Sequence, residues 1–138
     1  MGGLQKIAII AIGVHISGCA MQMPADQFYS EFPMATESTY LTGAMAGKAL
    51  LSGNCVVLDS HSYKAPVAMT AGGDVKNGAL GVDTIVRNDG GNAYRISNHA
   101  WNLLSNGSSQ LQVDFDTLLC SLEDVNENQT DSPDRVST

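Results

Sequence analysis

In this 138-residue chain, Asp59-Ser60-His61 puts a carboxylate, a hydroxyl and an imidazole within three positions, and His99 is the next histidine along. A hydrolase would need a nucleophile, a base and an orienting group that meet in space. No serine sits in a Gly-x-Ser-x-Gly turn, so the spacing points to no nucleophile. His61 and His99 could start a metal site, but two histidines without a third placed ligand rarely hold zinc. Gly72-Gly73-Asp74 lacks the Gly-Lys-Ser/Thr that would make it a phosphate loop. The reading adopted is a polar strand end at Asp59 to His61 and a loop histidine at His99. No catalytic residue, metal ligand set or cofactor is expected, and the chain is not read as an enzyme. Asp114 and Asp116 share one strand face and read as solvated rather than as a cation site.

The cysteines carry more information. Lys6 precedes an apolar run, Ile7 to Val14, which ends in Ile16-Ser17-Gly18-Cys19. A membrane-crossing helix needs about 20 apolar residues, so this run is too short and has the layout of an export signal. Ile16-Ser17-Gly18-Cys19 resembles the lipobox of bacterial lipoproteins. That resemblance implies cleavage before Cys19, acylation of Cys19 and a mature chain of residues 19–138. Ala20 rather than an aspartate follows, which by the same resemblance implies sorting to the outer membrane, with the domain facing the periplasm. Lipid on Cys19 would leave Cys55 and Cys120 as an even pair in an oxidising compartment, where a disulfide forms and persists. Closing a loop of that length stabilises a fold by about 4 kcal/mol on the chain-entropy argument. Two buried free thiols are the alternative.

Charge narrows the partners. Fourteen acids face seven bases, a formal net charge of -7. Lys6 would leave with the leader, so the mature chain would be more acidic still. Nucleic acid is excluded as a partner for want of a basic footprint. Anionic lipid headgroups would repel the chain as well, so attachment to the membrane is expected through acyl chains on Cys19.

The elements that must position these residues follow from pattern. Residues 19–53 read as a lipidated N-terminus and tether, with two prolines and aperiodic aromatics; packing of Phe28, Tyr29, Phe32 and Tyr40 on the domain is the alternative. Within that span, Leu41 to Leu51 reads as a short helix leading into the domain. The domain is expected over 54–120. Cys55 to Leu58 reads as a strand, Val75 to Leu80 as a short helix capped by Asp74 and stopped by Gly81, and Val82 to Arg87 as a buried strand. Asn88-Asp89-Gly90-Gly91-Asn92 reads as a hairpin turn, with Ala93 to Ser97 as its returning partner. Residues 98–110 form a polar loop holding Trp101, Leu103 and Leu104. Leu111 to Leu119 alternates apolar and polar residues as a half-buried strand does. The acidic run 121–138 reads as a disordered tail. The fold class is therefore α+β: a mostly antiparallel sheet of three to four strands with one short helix, tied by a disulfide.

Asn54-Cys55-Val56-Val57-Leu58, followed by Lys76-Asn77-Gly78-Ala79-Leu80-Gly81 and Val82 to Val86, resembles the cysteine-bearing strand and helix motif of RcsF-type small outer-membrane lipoproteins. The match covers 55–86. It departs from that group in carrying two domain cysteines rather than four, and in Gly78 and Val82. The resemblance implies a small disulfide-tied domain at the outer membrane. The expected function is a lipid-anchored sensor, adaptor or assembly component that binds another envelope protein. Trp101, Leu103 and Leu104 form the expected contact patch, since aromatic anchors dominate interface energies. A structural lipoprotein of a secretion or flagellar apparatus is the alternative, with a periplasmic enzyme or small-ligand binder around Asp59, His61 and His99 behind it.

Overall fold

A computed structural model describes residues 23–121. The expected leader 1–18, Cys19 and the tail from residue 122 onward lie outside the described residues. In chain order the elements are α1 (Ala25–Met34), β1 (Thr39–Tyr40), α2 (Gly43–Leu51), β2 (Cys55–Lys64), α3 (Ala71–Asn88), β3 (Ala93–Leu103) and β4 (Ser109–Cys120). The four strands form one sheet in the order β1-β3-β4-β2. Only the short β1 runs parallel to its neighbour; β3 and β2 flank β4 antiparallel. This is the α+β fold read from the sequence, disulfide included; among the described residues it has three helices, where one short helix was expected in the domain and another at Leu41 to Leu51 before it.

The tether reading gives way first. Residues 23–53 fold as part of the domain, because their aromatics land one helical turn apart on α1. Phe28 and Phe32 are four positions apart and both fully buried, with ring centres 5.1 Å from each other. Phe32 then meets Tyr94 of β3 edge-on at 6.2 Å. Such i, i+4 pairs lie on one face of a helix, and burying two phenyl rings outweighs the disorder their prolines suggest. Downstream, Thr42 caps α2 by accepting the Met45 N–H, and Ala46 and Ala49 face inward.

The second correction concerns α3. Residues 82–87 form no strand; they continue the helix that begins at Ala71. Val75, Ala79, Val82 and Val86 recur at helical spacing and are all buried, so the period of 3.6 overrides the β-branched composition. The Thr70 hydroxyl caps the start by accepting the Gly73 N–H, and Asp74 is buried and accepts the Ala68 N–H at 2.6 Å instead. Gly81 does not stop the helix. Gly90 does, at φ +83°, with the Gly90 and Gly91 N–H groups donating to the Arg87 and Val86 carbonyls. Gly78, costly for a helix in isolation, lets α3 approach closely: a Cβ there would stand 3.1 Å from Leu111 and 3.2 Å from Phe32.

The sheet is covered from both sides, but at different ends. Leu111, Val113 and Phe115 of β4 join Phe28, Phe32, Val75, Val82 and Tyr94 in one core beneath α1 and α3. Leu118 and Cys120 join Leu41, Ala46, Ala49, Cys55 and Ala93 in a second core beneath α2. The alternation expected for β4 holds through Thr117. Beyond it the helical cover changes sides, so Leu118 is buried and Leu119 is 45% exposed. Residues 98–103, read as loop, extend β3. The β3–β4 hairpin turns instead around Gly107, at φ +87°. The open face is polar and tightly bonded: Asp116 accepts from the Ser60 hydroxyl and the Arg95 guanidinium, each at 2.6 Å. Gln112 donates to Ser62 and to Asp114 beside it.

Candidate functional site

The disulfide lies where the strand order puts it. Cys55 and Cys120 are directly opposite each other at the paired ends of β2 and β4, and are bonded. The bridge ties an edge strand to the centre of the sheet across 65 residues of chain.

Beside it the chemistry gathers at the end of α3. β2 bulges between Val57 and Asp59, after which Asp59, His61 and Tyr63 point to the α3 side of the sheet opposite Thr117, Phe115 and Val113. His61 lies against the Phe115 ring at 5.3 Å. Its Nε2 is 2.6 Å from Oδ2 of Asp89, the residue that ends α3, and 3.8 Å from Oδ2 of Asp59. The other Asp59 oxygen accepts the Ser60 N–H. The side chains of His61 and Asp89 are 24% and 21% exposed, so the pair is half-buried, while Asp59, at 62%, leaves one side open to solvent. The hydrogen bond with His61, then the nearby Thr117 hydroxyl, hold the Asp89 carboxyl below the usual carboxylate range against a small opposing effect of burial. The Thr117 hydroxyl falls outside hydrogen-bond geometry and, fully enclosed, has no other partner.

Asp59 and His61 thus belong to a real cluster, and Asp89 completes it. His99 does not join. It stacks on Phe28 at 4.1 Å, the two rings nearly parallel, with the Tyr29 hydroxyl 3.1 Å from its Nδ1. Burial there lowers its pKa. Ser60 points to the opposite face and is bonded to Asp116. The arrangement can hold an ion or a proton.

The expected contact patch is divided. Trp101 is half-buried against the main core with its indole N–H enclosed and unpartnered, and Leu104 is half-buried in the turn. Only Leu103, 72% exposed, presents free surface. A second apolar surface lies at the disulfide end, where Val56, directly opposite Leu119, is half-exposed, and Val57 and Leu58 follow it along β2. Among the described residues β2 is an edge strand, with no partner on its outer side. This patch went unread because CVVL looks like a buried strand when its place in the sheet is unknown.

Compared with protein-family models, with curated proteins and with solved structures, the chain matches none.

Proposed function

We propose that the chain is a lipid-anchored, non-catalytic binding module of the bacterial outer membrane, held through acyl groups on Cys19, that engages another envelope protein as a sensor, adaptor or assembly component. The observation that carries this reading is the Ile16-Ser17-Gly18-Cys19 sequence closing a short apolar run. The Cys55–Cys120 pairing supports it: two of the three cysteines are spent on each other, which suits an oxidising compartment and leaves Cys19 for lipid.

The surface best suited to the partner is the outer edge of β2. An unpaired edge is a template for strand addition, and natural proteins usually blunt such edges with charge or proline. At its disulfide end, before the bulge, Val56, Val57 and Leu58 leave it apolar. The occupant we assign is an extended, apolar segment of an envelope protein, paired through main-chain hydrogen bonds.

Two measurements test the reading. Labelled palmitate is expected to enter the wild-type chain and not Cys19→Ala; incorporation in neither refutes the anchor. Photocrosslinkers placed at Val57 and at Leu103 in intact envelopes separate the two surfaces. A discrete adduct at Val57 alone supports the edge, and one at Leu103 alone moves the contact to the β3–β4 turn.

A further inference from the structure

We propose that Asp59, His61 and Asp89 form a site for a divalent cation of the zinc class, bound by one imidazole and two carboxylates from β2 and the end of α3. One donor atom from each of the three residues can be chosen so that all lie within 4.8 Å of one another. In a tetrahedral zinc site with bonds of about 2.0 Å, neighbouring ligand atoms stand about 3.3 Å apart. The two distances at His61 Nε2, 2.6 Å to Asp89 and 3.8 Å to Asp59, bracket that spacing. The ring hydrogen moves to Nδ1, freeing the Nε2 lone pair for the metal.

Two features favour a cation here. Asp89 ends an 18-residue helix, where unpaired carbonyls concentrate negative potential. The cation of the last turn does not compete, since Arg87 reaches out to Glu37, 4.0 Å away. Behind Asp89 stands the Thr117 hydroxyl, wholly buried and without a hydrogen-bond partner. A donor in that place can hold a ligating carboxylate in position, as partners behind metal ligands commonly do.

The donor set selects the ion. Calcium takes six to eight oxygens and magnesium an octahedron rich in water, so an imidazole in the set disfavours both. One nitrogen and two carboxylate oxygens suit zinc and its neighbours, with the solvent-facing side left for water or for a ligand brought by a partner.

The test is titration of the full chain, disulfide intact, with zinc chloride in a non-chelating buffer near neutral pH, read by calorimetry and by the histidine ring resonances. One equivalent is expected to bind and to shift the His61 signals while leaving His99 unmoved. His61→Ala and Asp59→Asn are each expected to weaken binding at least about tenfold. Asp59 is exposed, so its variant tests the site without threatening the fold. His99→Ala is expected to bind as wild type, and calcium to give no one-to-one event. Absence of zinc binding at millimolar metal overturns the proposal. So does undiminished binding in both His61→Ala and Asp59→Asn, or loss of binding in His99→Ala.

Discussion

Phe32→Ala decides whether the segment before β2 is structure or leash. Phe32 is fully exposed in any tether but wholly buried here, its ring between Phe28 and Tyr94 and against the Gly78 gap in α3. Truncating a buried phenylalanine costs about 3–5 kcal/mol, lost transfer energy plus the cavity left behind. The glycine at 78 offers no side chain to refill the space, which argues for the upper half of that range. A domain of this size has about 5–15 kcal/mol in all, so the variant should stay folded but be visibly weakened. In urea, at a slope of about 1.5 kcal/mol per molar, the midpoint is expected to fall by about 3 M. The assay is equilibrium unfolding followed by tyrosine and tryptophan emission with the disulfide oxidised. Met34→Ala, on the same helix but exposed, serves as control and should move stability by no more than about 0.5 kcal/mol. A loss below about 1 kcal/mol in Phe32→Ala would show that α1 is not part of the core, and the reasoning about its aromatic pair would be wrong.

Three further perturbations probe other parts of the fold. Gly91→Ala would place a Cβ 2.7 Å from the Leu118 carbonyl and 2.6 Å from the Thr117 methyl; a loss of about 1–3 kcal/mol in chemical unfolding is expected. Cys55→Ala with Cys120→Ala should cost about 4 kcal/mol, and wild-type mass should be unchanged by alkylation unless reductant is added first. Asp116 is held below the usual carboxylate range: burial opposes this, but the Ser60 hydroxyl and the Arg95 guanidinium outweigh it. Its contribution to stability is therefore complete above its unfolded value of about 4 and is lost as pH falls through the lower folded value. Urea unfolding between pH 2 and pH 6 should show a shallower acid decline in Asp116→Asn than in wild type; parallel declines would remove Asp116 from the account.

Local pattern made some of this architecture legible and hid the rest for definable reasons. β4 was readable because Leu111, Val113, Phe115 and Thr117 alternate with polar residues, and period 2 has one structural meaning when one face is wet. The Cys55–Cys120 bridge followed from counting, once Cys19 was set aside for lipid. α3 was misread at Val82 to Val86 because β-branched residues favour strands in isolation. The helix wins through burial: Val75, Ala79, Val82 and Val86 all enter the core on one stripe. The same misreading turned Asp89-Gly90-Gly91 into a hairpin turn and hid Asp89 as the partner of His61.

The cluster at His61 depends on that helix end. Had α3 stopped at Gly81, Asp89 would sit in a hairpin and His61 would lose its closest partner. Because α3 continues to Asn88 and Gly90 takes a positive φ, the chain reverses over the end of β2 and sets Asp89 beside His61. Gly91 then passes so close to Thr117 and the Leu118 carbonyl that no side chain fits, and this approach seats the helix end on the sheet. The contact between residues 61 and 89 is thus a consequence of where a helix terminates, a tertiary fact that no spacing within Asp59-Ser60-His61 encodes. The disulfide adds a second constraint: it pins the first residue of β2 to β4 four positions before Asp59. A strand fixed at that point cannot slip by one residue, and a slip of one would turn Asp59 and His61 to the opposite face, away from Asp89. Loss of the bridge should therefore loosen the Asp59–His61–Asp89 geometry before it unfolds the sheet, and zinc affinity of the Cys55→Ala, Cys120→Ala double variant, which frees no thiol to bind the metal, is expected to fall below that of wild type even where the far-ultraviolet circular dichroism is unchanged.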